Sequence, residues 1–245
     1  MRRALFLASG AAALAGCAKV TNALNDTPSL HSILDATERL NHAVIGTRGR
    51  AKLYSEADVD RDFRTNGFDT PSDSQYDRLV KDGFATYSLA VAGEVEHPQN
   101  FTLRELRALA SLTQITRHDC VEGWSAIGQW GGVPLGNLLR LVRPTSKARY
   151  VLFRCFDRSP EGDPYYESLD LHQAAHPQTL LALDLNGKPL DPDHGAPVRL
   201  RVPTQLGYKS AKWVRRIELA STFNGLYGGN GGYWEDQGYE WYAGI

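Results

Sequence analysis

Cys120 sits in R-H-D-C-V-E-G-W-S (residues 117–125), with His118, Asp119 and Glu122 beside it and Trp124 and Trp130 following. A cysteine so placed can ligate a soft metal, attack an electrophile, or fill a core as a small apolar group. Three features weigh against the core. Polar residues crowd it on both sides, whereas core cysteines lie in apolar runs. Gly123, Gly131, Gly132 and Pro134 punctuate the segment, which reads as a shaped loop leading into the helix-like run Leu135–Val142. No second cysteine lies nearby, so the paired-cysteine zinc and redox patterns are absent. For nucleophilic attack, nothing completes a nucleophile, base and orienter set around Cys120 and His118.

A second block with chemical content is H-G-A-P-V-R-L-R-V (residues 194–202) followed by S-A-K (residues 210–212). Gly195 allows a close backbone approach. Guanidinium forks grip phosphate bidentately, and backbone amides with Ser210 and Lys212 can complete an anion cradle. The competing reading is a basic strand pair facing water. His172 and His176 have a helical metal spacing, but no H-E-x-x-H is present and Pro177 ends the helix.

Several ordered motifs together resemble the sulfite oxidase family of molybdopterin enzymes. They are C-V-E-G-W-S with W-G-G-V-P-L, then Y-Y-E-S-L-D-L, H-P-Q-T-L-L-A, N-G-K-P-L, H-G-A-P-V-R-L-R-V-P and L-G-Y-K-S-A-K-W-V. The likeness runs from about residue 79 to the C-terminus and is nearest to bacterial single-domain members. It implies an α+β fold, a sulfite-oxidase-type molybdopterin-binding domain with mixed β-sheets flanked by helices. It implies Mo-molybdopterin as cofactor, one pterin with molybdenum ligated by the Cys120 thiolate. It also implies that His194, Arg199, Ser210, Ala211 and Lys212 bind the pterin phosphate. Asn41, Cys155 and Asp157 fall where the family contacts the pterin. Asn41 is equally readable as a surface residue and Cys155 as a core one. Arg117 and Tyr242 are candidates to hold substrate. The implied activity is oxygen-atom transfer on a small sulfur-containing substrate of the sulfite or sulfoxide type. The sequence has no C-x-x-C-H haem motif, and, unlike in the animal and plant members of that family, neither a preceding haem domain nor a following dimerisation domain is expected. An external electron partner, a membrane haem subunit or a soluble cytochrome, is therefore expected. A reading from another class is a lipid-anchored binding or scaffold protein that keeps the fold without metal catalysis.

The elements that must position these groups read as follows. Residues 33–44 have helical apolar spacing and residues 87–93 alternate as a strand. Thr102 with Glu105 forms a capping box for a helix over 103–112. Residues 114–118 form the strand that delivers the cysteine loop. Residues 150–156 form another strand ending at Asp157, Asn186-Gly187 turns between two strands, and residues 212–219 form the last. In the C-terminal stretch, Trp234, Tyr239, Trp241 and Tyr242 either pack or line a pocket mouth, with packing the default.

The 245 residues suffice for one domain with a sizeable core. Hydrophobic residues at 42% and charged residues at 22% are ordinary for a globular protein, and a net charge of −1 gives no sign of nucleic-acid binding. Residues 1–17 read as a signal peptide: Arg2-Arg3, a short apolar run, and a lipobox-like Leu14-Ala15-Gly16-Cys17. Residues 18–35 read as a tether and residues 36–245 as the oxidoreductase domain. The expectation is a periplasmic protein, exported by the twin-arginine route and lipid-anchored at Cys17, with membrane contact only through that anchor.

Overall fold

The computed structural model describes residues 49–67 and 70–245. The expected signal segment, the helix over 33–44 and Asn41 lie outside the described residues. Two sheets carry the described chain. The first has the strand order β2-β1-β10-β5-β6, with β1 Ser88–Gly93, β2 Gln99–Thr102, β5 Tyr150–Arg158, β6 Pro164–Asp170 and β10 Val214–Ala220. It is mixed, because β10 returns beside β1 in parallel while the other pairs are antiparallel. The second sheet has the order β3-β4-β7-β8, formed by Leu112–Cys120, Trp124–Pro134, Leu180–Leu185 and Lys188–Pro189; β9 Arg199–Arg201 also pairs with β7.

Strand alternation sends neighbouring residues to opposite faces and so divides the core. Leu89, Val91, Val133, Leu181, Leu183, Ile217 and Leu219 belong to one large cluster with Leu135, Leu138 and Val142 of the helix Leu135–Val142. Ala126, Trp130, Leu180, Ala182 and Leu185 turn the other way and pack with Phe63 in a second cluster. The second sheet is thus covered on both faces, and this second cluster lies beneath the chemical site.

Five helices are described: α1 Ser74–Lys81, α2 Leu103–Leu109, α3 Leu135–Val142, α4 Leu171–Ala174 and α5 Tyr233–Asp236. Helix α1 was not foreseen; Asp73 caps it by accepting from the Gln75 and Tyr76 amides. The Thr102–Glu105 capping box is present. Helix α2 ends at Leu109, three residues early, because the Ser111 amide already donates to Gly132 O at 3.1 Å beside the sheet. Helix α4 is too short to set His172 and His176 at helical spacing. Asn186 and Gly187 turn with φ of 52° and 75°, the left-handed pair that a tight hairpin needs.

One expectation is corrected. Residues 124–134 are not a loop but the long strand β4, bonded to β3 on one side and β7 on the other. Its glycines mark close approach rather than a turn: a Cβ on Gly132 would lie 2.0 Å from Leu181 O.

Candidate active site

Cys120 is the last residue of β3. A tight connection through Gly123 (φ 87°) returns the chain to Trp124 opposite it, and the Gly123 amide donates to Cys120 O at 3.1 Å. A rigid hairpin therefore presents the thiol at a half-buried tip. Burial raises the thiol's pKa above its ordinary value and the neighbouring Glu122 charge adds to that, against lowering by a backbone hydrogen bond and by Arg64. A thiol so biased is a poor unassisted nucleophile. His118 offers no help: both ring nitrogens are buried without a hydrogen-bond partner. Bare burial holds its pKa well below the usual value, and Arg201, Arg199 and Lys212 reinforce this.

Cys120 opens into a cleft also lined by Asn66, Glu122, Asp157, Ser210 and Lys212, with an aromatic wall of Tyr165, Tyr208, Trp234 and Tyr239. Trp234 and Tyr239 stack at 5.2 Å, and Tyr208 meets Tyr239 edge-on at 5.3 Å. The cleft has a volume of about 170 Å³.

Next to the cleft lie two arginines of β9. Arg199 and Arg201 are both 0% exposed and flank the indole of Trp130, at 5.0 and 5.5 Å from its ring. Arg199 donates to His194 O (3.1 Å), Asn66 Oδ1 (3.3 Å) and Ser210 O (3.4 Å). Arg201 donates to Arg117 O (2.6 Å) and Thr116 Oγ1 (3.3 Å). Among the described residues neither has a carboxylate partner. Burial pulls the Arg199 pKa down to about 10; burial and then Arg199 pull Arg201 down to about 9. Nε of both, and one terminal nitrogen of Arg201, make no hydrogen bond.

A different arrangement sits behind the aromatic wall. Lys209 Nζ lies 2.5 Å from both Glu167 and Glu235, and the three side chains are fully buried. Burial and the adjacent Glu235 raise the Glu167 pKa well above the ordinary range, against lowering by Lys209. This cluster ties α5, which carries Trp234, to β6, which carries Tyr165.

The expected residues are placed unevenly. Cys120, Asp157, Ser210 and Lys212 line one cleft, and Arg199 reaches it through Asn66 and Ser210. Ala211 is buried, its carbonyl accepting from the Leu200 amide. Cys155 is buried in β5 opposite Val214 and does not line the cleft. The His194 ring is turned away, held by Asp191 (2.7 Å) and Phe63 O (2.8 Å); only its carbonyl meets Arg199. Gly195 (φ 99°) packs against the Cβ atoms of Arg199 and Lys212. Arg117 pairs with Asp119 at 2.9 Å, and Tyr242 is buried; neither lines the cleft. Sequence reasoning passed over Asn66, whose only signal was the Asn-Gly of F-R-T-N-G, and the Arg201 side chain.

Residues 77–225 match the oxidoreductase molybdopterin binding domain. The chain belongs to that family. It is 39% identical over 239 residues to an Azospira oryzae protein that bears the name "Putative protein-methionine-sulfoxide reductase subunit YedZ1", covering 96% of this chain and 83% of that one. It is 35% identical over 227 residues to the protein-methionine-sulfoxide reductase catalytic subunit MsrP of Xanthomonas campestris pv. campestris, covering 88% and 67%. Among solved structures, the sulfane dehydrogenase SoxCD of Paracoccus pantotrophus shares the fold, with a TM-score of 0.50 and 24% identity over 56% of this chain and 39% of that one. This family member is therefore a molybdopterin-binding oxidoreductase of α+β fold.

The residues present fit a phosphorylated pterin of this family. Two desolvated guanidiniums without a protein counter-anion suit a phosphate, and charge-assisted hydrogen bonds would relieve their burial. Asp157 Oδ1 is buried and unpartnered at the cleft, its pKa pushed up to about 7 by burial; it suits an N–H donor of the pterin ring.

Proposed function

We propose that this chain reduces a sulfoxide, of the methionine-sulfoxide class, by oxygen-atom transfer at a molybdenum–pterin group ligated by Cys120. The observation that carries the reading is the pair of buried, unpaired guanidiniums of Arg199 and Arg201 beside a cleft that exposes Cys120. The substrate class is supported by two relatives bearing methionine-sulfoxide reductase names.

When bound, the cofactor supplies two-electron redox chemistry coupled to movement of one oxygen atom. The chain's own residues do the rest. Cys120, as thiolate, holds the metal, and the metal offsets the bias toward the neutral thiol. Arg199, Arg201 and Lys212, with Ser210 and Ala211 of the adjoining turn, hold the phosphate. Asn66 and Asp157 orient the pterin ring, Asn41 is a secondary contact, and the His194 carbonyl holds Arg199 in place. Trp234, Tyr239 and Tyr208 hold the substrate: a sulfur carrying a methyl group packs well on aromatic rings and needs no charge. The aromatic wall also keeps water from the reacting atoms. Electrons come from outside the chain, from a membrane haem subunit or a soluble cytochrome. The protein works in the periplasm, exported by the twin-arginine route and anchored by lipid on Cys17.

The test is elemental analysis of protein made in cells that synthesise the cofactor, followed by turnover with reduced methyl viologen. About one molybdenum per chain and reduction of methionine sulfoxide are expected. Folded protein without molybdenum, or a loaded enzyme that oxidises sulfite and leaves sulfoxides untouched, would overturn the reading.

A further inference from the structure

Arg154, Arg158, Arg215 and Arg216 line a groove of about 420 Å³ on the outer side of the first sheet. Its lining carboxylates are the half-buried Glu218, which pairs with Arg154 at 3.1 Å and lies 3.9 Å from Arg216, and the buried Asp157. Four guanidiniums thus outnumber two carboxylates, on a chain whose net charge is −1.

The sequence and fold build this concentration deliberately. A register shift between Val214 and Arg216 breaks the strand alternation, so that Arg215 and Arg216, adjacent in sequence, both face solvent while Val214 and Ile217 stay buried. Arg215 packs over Phe156 at 5.3 Å and Arg154 over Tyr227 at 5.6 Å, which orders both guanidiniums; among the described residues Arg215 has no carboxylate partner. Tyr227 itself is 53% exposed. Exposed tyrosine among arginines is the composition of protein-binding hot spots.

The position of the groove is the second observation. Asp157 and Tyr165 line both the groove and the cleft that holds Cys120, so a wall one residue thick separates them. We propose that this arginine groove docks an acidic redox protein, the one-electron donor that reduces the site. The inference rests on the oxidoreductase reading above and names its partner surface. Reduction of a sulfoxide to a thioether and water takes two electrons and two protons. A haem donor gives one electron at a time, so the groove is occupied twice per turnover, with both protons drawn from solvent.

The test uses the full-length, cofactor-loaded protein and the soluble domain of microsomal cytochrome b5, an acidic haem protein, as probe. Binding is measured by titration calorimetry at low ionic strength. Binding that weakens about ten-fold or more in 0.5 M salt and in the double variant Arg215→Glu with Arg216→Glu is expected, as electrostatic docking requires. Viologen-driven turnover of that variant should equal the parent's, which shows the cleft intact. Failure of the probe to bind, an unchanged affinity in the variant, or equal affinity for the basic mitochondrial cytochrome c would each overturn the proposal. A parent without viologen turnover would instead sink the catalytic reading, and the binding data would still judge the groove.

Discussion

Arg199→Met separates the cost of a buried charge from its use. In the cofactor-free protein the guanidinium is fully buried, and burial pulls its pKa from the ordinary arginine value down to about 10. That shift corresponds to about 3 kcal/mol of destabilisation at neutral pH. Because the folded value lies below the unfolded one, the penalty is constant below about pH 10 and lifts only as pH rises through that value. Methionine keeps most of the volume over Trp130 but removes donors to Asn66, His194 and Ser210, and lost hydrogen bonds cost roughly 1 kcal/mol each at most sites. The two effects nearly offset, so the cofactor-free variant should match the parent or exceed it by up to about 2 kcal/mol. The loaded protein should behave in the opposite way. With one phosphate partner gone, the stability gained on loading should shrink by about 3 kcal/mol, roughly a hundred-fold in retention. Urea denaturation of cofactor-free and loaded samples at pH 6, 7 and 8 measures both quantities. A cofactor-free variant weakened by more than about 2 kcal/mol, together with an unchanged gain on loading, would refute the reasoning.

Other outcomes follow from the same geometry. Cys120→Ser should lose molybdenum by elemental analysis while its urea midpoint stays within about 1 kcal/mol of the cofactor-free parent, since the residue is half-exposed. Asp157→Asn should flatten a pH dependence. The raised carboxyl makes the cofactor-free fold less stable as pH climbs from about 4 to about 7, by up to about 4 kcal/mol, and denaturation at pH 5 and pH 8 should show that slope only in the parent. Lys209→Met strands two buried carboxyls and should cost about 3–5 kcal/mol in chemical denaturation, with part restored by adding Glu167→Gln. Thr102→Ala should cost about 1 kcal/mol by removing the cap of α2, read as a lowered melting temperature.

What could be read in advance was what is local in sequence. The strand that carries Cys120, the capping box and the Asn186-Gly187 turn each depend on neighbouring residues, and each stands where expected. The strand β4 was misread because glycine density signals turns locally, whereas here it answers to backbones packed from another part of the chain. Helix α1 escaped because Val80 is exposed and only Tyr76 and Leu79 face inward, too few to show a period. Asn66, Tyr165 and the Glu167–Lys209–Glu235 cluster come together only in three dimensions, from segments far apart in sequence. His194 was placed by its block, but its ring is claimed by Asp191, a competition that no linear motif encodes.

The aromatic wall is held from behind rather than from within the cleft. Trp234 neighbours Glu235 on α5, and Glu235 is fixed in the interior by Lys209, which also binds Glu167 of β6 beside Tyr165. The wall that faces the ligand is therefore anchored by a charge cluster that the ligand never touches.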